Sequence, residues 1–443
     1  MTSSGPAAVA GPAAPVTPAP ARVPWPARRM LPLLATAALI AISMGSSTWW
    51  GPLITGARGW PLPGDLWGTL VAARRLAHLD LGGLYTQPTG LVGFPGTAVI
   101  LIPVAALISA AGISLQDPGP HNLHPAAWLL AGPYEIAVAS VALFAADALA
   151  ERLGVTRPRR ALLAAASAVA LWSVASQWGH PEDPVAVGLL LYGILALSRA
   201  RTARSAWLVG AAVAVQPLVL VALPVILVAI EPRRVAGFLA RAATPGVVLL
   251  AAAVAANRAA TVHAVTNQPN WPKVDHPTPW TSLAPHLAGG AVAAGPFRAL
   301  AIGVACVVAL IAGRRWRAAR GAAWSPGTLQ DVLWWTAAVL ALRSVFESVM
   351  VAYYLWPVLA VALIAAARNW VRLAATSVVV VAISFAAQLN WRGPWSWWTA
   401  MIAGLALTLF CARLPPALRR FPPALRRFPS RLRRPSRAPQ TAG

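Results

Sequence analysis

The sequence predicts an all-α protein that crosses a membrane about ten to twelve times. Hydrophobic residues make up 58% of the chain and charged residues only 11%, whereas about a quarter of the residues in a soluble protein are charged. The mean hydropathy is +0.63. Apolar stretches that could cross about 30 Å of hydrocarbon recur along the chain. These features exclude an ordinary soluble protein.

The apolar segments define a transmembrane domain over residues 30–412. Each segment is rich in Ala, Leu and Val, and in lipid such a run satisfies its backbone hydrogen bonds only as a helix. We place the segments at 31–50, 91–111, 125–150, 160–176, 185–198, 205–230, 235–256, 297–312, 328–343, 349–366, 371–389 and 397–412.

Arginine clusters predict the orientation of these helices. The formal net charge is +24, but the arginines flank apolar segments, which favours cytoplasmic anchors over nucleic-acid binding. With every cluster in the cytoplasm, the loops 47–90, 177–184 and 257–296 face outward. The clusters lie at 157–160, 199–204, 233–234, 314–320, 368–372 and in the C-terminal tail.

Two segments must depart from a simple crossing for this orientation to hold. Segment 91–111, broken by Pro95 and Pro103, is expected to be re-entrant or to lie along the outer interface. His121 and His124 then face outward with the other five histidines; otherwise they face inward. Segment 205–230 is expected to form a hairpin or to re-enter, with breaks at Gln216-Pro217 and Pro224.

The two ends of the chain differ from this domain. Residues 1–29 are rich in Ala, Pro, Gly and Ser, which predicts a disordered cytoplasmic segment. Residues 413–443 form a basic cytoplasmic tail with PPALRRF at 415–421 and 422–428 and the related PSRLRRP at 429–435. The repeat is compatible with adhesion to anionic lipid headgroups or with a tail that has no role.

Cofactors are not indicated by the sequence. Cys306 and Cys411 lie inside apolar segments, so neither a disulfide framework nor a metal site is supported. We therefore expect neither a metal ion nor an organic cofactor.

Asp65 is the leading candidate for chemistry in the first outward loop. Apolar residues of 66–79 recur at a spacing that predicts a short helix lying in the membrane interface. Asp65 stands at the start of this helix. A carboxylate there could take part in chemistry or could only cap the helix.

Several short motifs together resemble the integral-membrane glycosyltransferases of the GT-C superfamily, in particular glycosyltransferase family 87. A typical member has Tyr-Pro-Pro where this chain has Phe94-Pro95-Gly96. The matching elements are Asp65 after the first apolar segment, Gly82–Tyr85, Phe94-Pro95, the loop Gly179–Pro184, Gly210 with Gln216-Pro217 and Pro224, and Arg343 with Tyr353-Tyr354 and Pro357.

The resemblance implies a multi-pass enzyme with its active site on the extracytoplasmic face. It would move a sugar, with mannose expected, from a polyprenyl-phosphate carrier to an extracytoplasmic lipid or polysaccharide, with inversion. The resemblance implies that Asp65 is the catalytic base. General-base assistance is worth roughly 10²–10⁴ in rate, and cationic side chains would stabilise the departing phosphate.

The loop 177–184 brings a second group of candidates. Trp178 offers a face to a sugar ring, and the carboxylates of Glu182 and Asp183 can accept hydrogen bonds from hydroxyl groups, with His180 beside them. The two carboxylates could equally cap the helix that follows. A metal site is conceivable, but the residues lack a recognised ligand spacing.

The loop 257–296 is too aromatic and too rich in proline for a plain linker. It could cover an acceptor site or be a packed outer decoration. Lys273, the only lysine in the chain, and His276 are its candidates for substrate contact, with Lys273 placed at the donor phosphate.

A last group lies at the outer ends of two late segments. Arg343 could bind the lipid phosphate or pair with Glu347 four residues on. Tyr353 and Tyr354 are further candidates for substrate contact. Glu135 is the carboxylate deepest in an apolar segment, where a charge needs a partner or an aqueous cavity.

Two other functions fit the sequence. A transporter or flippase for a polyprenyl-linked lipid predicts repeated halves and charges along a transmembrane path, and we find no such repeat. A non-catalytic membrane scaffold would tolerate Asp65→Ala. An ion channel is disfavoured because no filter segment is evident.

Overall fold

The computed structural model describes residues 24–49, 62–86, 91, 93–115, 125–273, 275–389 and 393–415. Within these ranges the protein is mainly α-helical, as predicted. Most of the N-terminal segment, the tail beyond residue 415, His121 and His124 lie outside the described residues.

Most helices follow the predicted apolar segments with small differences at their ends, but Trp25–Arg28 lies in the segment predicted to be disordered and Arg258–Thr266 lies in the predicted loop 257–296. The helices are α1 (Trp25–Arg28), α2 (Met30–Trp49), α3 (Gly64–Ala77), α4 (Pro95–Val99), α5 (Ile102–Ala110), α6 (Pro125–Ala139), α7 (Val141–Arg152), α8 (Arg157–Trp172), α9 (Glu182–Leu197), α10 (Thr202–Val215), α11 (Leu223–Val228), α12 (Pro232–Ala256), α13 (Arg258–Thr266), α14 (Gly295–Gly313), α15 (Pro326–Phe346), α16 (Trp356–Ala366), α17 (Trp370–Ala386) and α18 (Ser396–Arg413).

Short elements join these helices. A π-helical turn covers Ser173–Gln177, and 3₁₀ turns cover Pro217–Ala222, Thr281–Leu283, Ala288–Gly290, Arg314–Ala319 and Ala352–Leu355. Strands β1 (Pro269–Asn270) and β3 (Val292–Ala293) pair antiparallel, as do β2 (His276–Pro277) and β4 (Val349–Met350). The segment 257–296 is therefore ordered by pairing, both with itself and with the start of the 349–366 segment.

Three described helices are long and apolar enough to cross a membrane: Ala126–Arg152, Pro232–Ala256 and Gly295–Ala319. The first runs through α6 and α7. Several other apolar helices are shorter, so the number of crossings stays a prediction.

Proline accounts for one predicted break. Helix α10 ends at Val215, and the backbone of Gln216 is extended (φ −148°, ψ 113°), because the residue before a proline avoids the helical region. Pro217 then opens a 3₁₀ turn, and Pro224 stands in the first turn of α11. The predicted interruption at Gln216-Pro217 is confirmed, but the backbone remains helical through Pro224, from the 3₁₀ turn into α11.

Helix α16 lies at the centre of the largest core. Every residue from Trp356 to Ala366 is buried, and the surrounding cluster draws side chains from α7 to α12 and from α14 to α18. A helix that is apolar on all sides is expected in such an interior position.

A second core fixes helix α3. Leu66, Leu70 and Ala73 recur every three to four residues and are buried against residues of α5 and α6, including Ile108 and Trp128. This spacing places one apolar stripe of α3 on the core.

An ion-pair network ties α1 and α2 to the C-terminal part of α7 and the first turn of α8. Asp147 accepts hydrogen bonds from Arg29 (2.6 Å) and from both Nε and Nη2 of Arg160 (2.7 Å each). Glu151 accepts from Arg28 (2.6 Å) and Arg29 (2.8 Å). These partners compensate Asp147, which is only 4% exposed, as a buried charge requires.

Gly210 permits the close crossing of α10 and α12. A Cβ at this position would lie 2.4 Å from the carbonyl oxygen of Ala242. We expect Gly210→Ala to lower the free energy of unfolding in detergent by about 1–3 kcal/mol, because the helices must separate. Gly303→Ala is the matched control, since a Cβ there meets no atom within 4 Å. Equal unfolding midpoints for Gly210→Ala and Gly303→Ala would contradict the close contact of α10 with α12 at Gly210.

Candidate functional site

An open cavity of about 300 Å³ lies where three predicted outward loops meet the ends of helices. This is the lower end of the range for small-molecule pockets. It gathers side chains that are far apart in the sequence. Its lining includes Asp65, Trp178, His180, Glu182, Asn270, Asp275, Arg298, Arg343, Tyr353 and Tyr354.

His180 links two carboxylates at one wall of the cavity. Its Nδ1 lies 2.6 Å from Oε1 of Glu182, and its Nε2 lies 3.1 Å from Oδ2 of Asp65. The imidazole also stacks on Tyr353, with the ring centroids 4.0 Å apart. The ring therefore has a fixed orientation, with one nitrogen directed to each carboxylate.

Gly179 brings this turn against the start of helix α3. Its φ is +64°, a conformation that glycine adopts without strain, and a Cβ there would lie 2.9 Å from both Leu66 and Pro63. This close contact allows His180 to reach Asp65.

Asp65 is an accessible carboxylate. The residue before helix α3 is Pro63, which makes no side-chain cap, and the Asp65 carboxylate contacts His180. The side chain is 69% exposed because it faces the open cavity. The hydrogen bond from His180 lowers the pKa of Asp65 despite partial desolvation.

The charge of His180 follows from its two partners. Burial alone would lower the pKa of the imidazole, but the negative charge of Glu182 and the hydrogen bonds to Asp65 and Glu182 together raise it well above the usual range. The protonated ring can then donate to both carboxylates.

Asp275 is a second carboxylate at the cavity. Desolvation and the nearby charge of Asp65 raise the pKa of Asp275 to about 6. The pKa of Asp65 is thus lowered and that of Asp275 is raised relative to an ordinary aspartate. The pH dependence of activity can detect this difference.

Arg298, Arg343 and Glu347 form a second group of charged side chains at the cavity. Glu347 is fully buried and accepts hydrogen bonds from Arg298 (2.9 and 3.1 Å) and from Arg343 (3.3 Å). The predicted pairing of Arg343 with Glu347 is thus observed. Arg343 is 7% exposed and lies over the ring of Tyr354, 4.0 Å from its centroid. Its Nη1 has no hydrogen-bond partner among the described residues.

Trp178 also lines the cavity. Its ring lies 5.7 Å from that of Tyr353, and its Nε1 donates to Oε1 of Gln388 (3.2 Å). Gln388 in turn donates to Ser173 (2.6 Å). The indole therefore has a fixed orientation.

Three predicted residues do not belong to the described lining of the cavity. Asp183 is buried behind it and accepts a hydrogen bond from Gln216 (2.9 Å). Lys273 is exposed at the surface. His276 stacks on the buried ring of Trp397, with centroids 4.1 Å apart. The placement of Lys273 gives no support to its predicted contact with a donor phosphate.

Glu182 and Asp183, which were predicted either to contact substrate or to cap a helix, stand in the first turn of α9. Helix α9 follows Pro181, which makes no side-chain cap. The hydrogen bonds of the two carboxylates run to His180 and Gln216 instead. Within the described ranges, no three His, Cys, Asp or Glu side chains are grouped to hold a metal ion.

Arg298 and Asn270 were absent from the predicted site. Arg298 lies in the first turn of α14, and Asn270 lies in β1. The sequence did hold a signal for Arg298, because an arginine at the outward end of an apolar segment departs from the positive-inside pattern.

Comparison with known proteins does not identify the chain: no family model matches it, and no curated protein is significantly similar to it.

Proposed function

We propose that the chain is a membrane glycosyltransferase of the GT-C type that uses a polyprenyl-phosphate sugar donor, with mannose the first sugar to test. The observation that carries the proposal is one cavity lined by an accessible carboxylate held by an imidazole, Asp65 with His180, and by two arginines, Arg343 and Arg298. The apolar helices and the motifs quoted above support a multi-pass protein with this cavity on the extracytoplasmic face.

Asp65 is the proposed base. In an inverting transfer, the acceptor oxygen attacks the anomeric carbon, its proton passes to Asp65, and the bond between that carbon and the phosphate oxygen breaks. The phosphate leaves with the electron pair. An accessible carboxylate held in its charged form by His180 suits this role, although its lowered pKa makes it a weaker base.

The arginines are the proposed partners of the leaving phosphate. Arg343 is buried at the cavity and its Nη1 is without a partner among the described residues, so a bound anion could satisfy it. Arg298 adds a second cation, and both are held by Glu347. Pre-positioned cations of this kind stabilise charge that develops during the reaction.

The proposal is tested by sugar transfer in proteoliposomes. Purified full-length protein receives polyprenyl-phosphate-[¹⁴C]mannose and a membrane-lipid extract as acceptor. We expect label in a new glycolipid and release of unlabelled polyprenyl phosphate. Movement of intact labelled donor between leaflets without its cleavage would instead identify a lipid transporter. If mannose gives neither result, other sugars on the same carrier are tested, and failure of all of them overturns the proposal.

The acid limb of the pH profile distinguishes the two cavity carboxylates. The pKa of Asp65 is lowered from its ordinary value of 3.8, so kcat/KM should be retained until the pH falls below that value. If Asp275 were the base, activity would be lost as the pH falls through about 6. Initial rates between pH 3 and 8, with Asp275→Asn as the control, decide between them. An acid limb near 6 in the parent, together with loss of transfer in Asp275→Asn, would assign the base to Asp275 and remove Asp65 from this role.

A further inference from the structure

A second cavity, lined by arginines, lies between the first turns of helices α10 and α12. Its volume is about 630 Å³. The backbone around it comes from residues 200–204 and 233–241. The arginines that line it are Arg201, Arg204, Arg233, Arg234 and Arg241.

Few of these positive charges are balanced by the protein. Arg234 pairs with Glu231 (3.1 Å), and Arg241 donates to the carbonyl of Gly237 (2.8 Å). Within the described part of the chain, the side chains of Arg201, Arg204 and Arg233 make no hydrogen bond or ion pair, and all three residues are exposed. Five cations around one concave surface create a strong local attraction for an anion.

The starts of two helices reinforce this attraction. Helix α10 begins at Thr202 and helix α12 at Pro232, so the free N–H groups of both first turns lie near the cavity. Helix N-termini carry partial positive charge that favours phosphate groups.

The same two helices also carry exposed apolar side chains. Trp207 of α10 is 48% exposed, and on α12 Val247 and Val248 are 60% and 58% exposed. A free phosphate ion would contact only the arginines. A molecule with an anionic head and an apolar tail would contact both surfaces.

The arginine cavity is separate from the candidate active site. Helix α10 connects the two, because Arg201 and Arg204 stand at its start and Gln216, just after its end, lines the first cavity. Its 14 residues correspond to about 21 Å.

We propose that this cavity binds the phosphate headgroup of an anionic membrane lipid, with the acyl chains along α10 and α12. The proposal does not depend on the enzymatic function. It differs from general attraction between arginines and a membrane surface because the concave site should hold a lipid after purification.

The test measures how much radiolabelled phosphatidylglycerol the full-length protein retains from mixed micelles with phosphatidylcholine. The pocket variant carries R201Q, R204Q and R233Q. Each arginine near a membrane surface contributes about fivefold to binding of anionic lipid, so we expect apparent affinity to fall on the order of 100-fold. The control variant R157Q, R314Q and R317Q loses the same charge from exposed arginines outside the cavity.

Retention lost in the pocket variant but kept in the control would support the lipid site. Equal losses would show diffuse charge attraction and overturn it, as would unchanged retention in both variants. Displacement of the lipid by inorganic phosphate, with phosphate binding to the lipid-free protein, would identify a free-anion site and also overturn it. Circular dichroism of each variant checks that the helices are retained.

Discussion

Replacing Asp65 by asparagine should lower sugar transfer by about 10²–10⁴-fold, which is the usual contribution of a general base. The amide keeps the shape of the side chain but cannot take the proton of the acceptor hydroxyl. Donor binding should change little, because the proposed phosphate contacts are Arg343 and Arg298 rather than Asp65. The measurement is the initial rate of transfer from labelled donor at saturating concentration, with protein amounts matched.

Asp80→Asn is the control for this result. Asp80 is 51% exposed and accepts a hydrogen bond from the backbone N–H of Gly83 (2.8 Å), which asparagine can also accept. It is outside the described lining of the cavity, so transfer should remain within about twofold of the parent rate, since such surface changes have small effects. Equal rates for Asp65→Asn, Asp80→Asn and the parent would exclude Asp65 as the base.

Replacing Glu347 by alanine should lower the free energy of unfolding by about 3–5 kcal/mol. Removal of one partner from a buried ion pair leaves the other charge uncompensated. Here the change would leave Arg343, which is 7% exposed, without its carboxylate partner, and would remove both hydrogen bonds that Arg298 donates to Glu347. Unfolding in mixed micelles, followed by circular dichroism as the denaturing detergent is increased, provides the measurement.

Asp331→Asn tests whether the loss of any ion pair would have this effect, because the amide oxygen can still accept the hydrogen bond that Trp316 Nε1 donates to Asp331 (2.9 Å). Asp331 contacts Arg413 at 3.4 Å, and the two side chains are 27% and 42% exposed. A pair this exposed contributes about 0–1 kcal/mol. A loss at Glu347 no larger than the loss at Asp331 would contradict the structural role assigned to Glu347.

The helices of this protein could largely be predicted from its sequence because apolar runs and prolines act locally. Gln216-Pro217 ends helix α10 for a reason that involves neighbouring residues only. Membrane topology could not be fixed in this way, since crossing depends on how each helix lies in the bilayer. The short pieces Pro95–Val99 and Ile102–Ala110 match the predicted breaks in segment 91–111, but their orientation stays a prediction.

The candidate site could be predicted by residue type but not by arrangement. No local pattern indicates that His180 contacts Asp65, because the contact depends on how the Gly179 turn packs against helix α3. The prediction that Lys273 contacts the donor phosphate rests on its being the only lysine in the chain. That is a property of the composition and does not indicate a position in the fold. The signal from Arg298 is weak, because a single arginine at the outward end of an apolar segment does not indicate which side chains it meets in the fold.

The contact between His180 and Asp65 also sets an order of events during synthesis. The two residues are 115 positions apart, so at about 5–20 residues per second His180 is added about 6–23 s after Asp65. During that interval Asp65 has no imidazole partner and should titrate like an ordinary aspartate. A nascent chain that stalls before residue 180 would contain Asp65 but not His180, whose hydrogen bond lowers the pKa of Asp65. Such a chain would lack the contact that orients the proposed base.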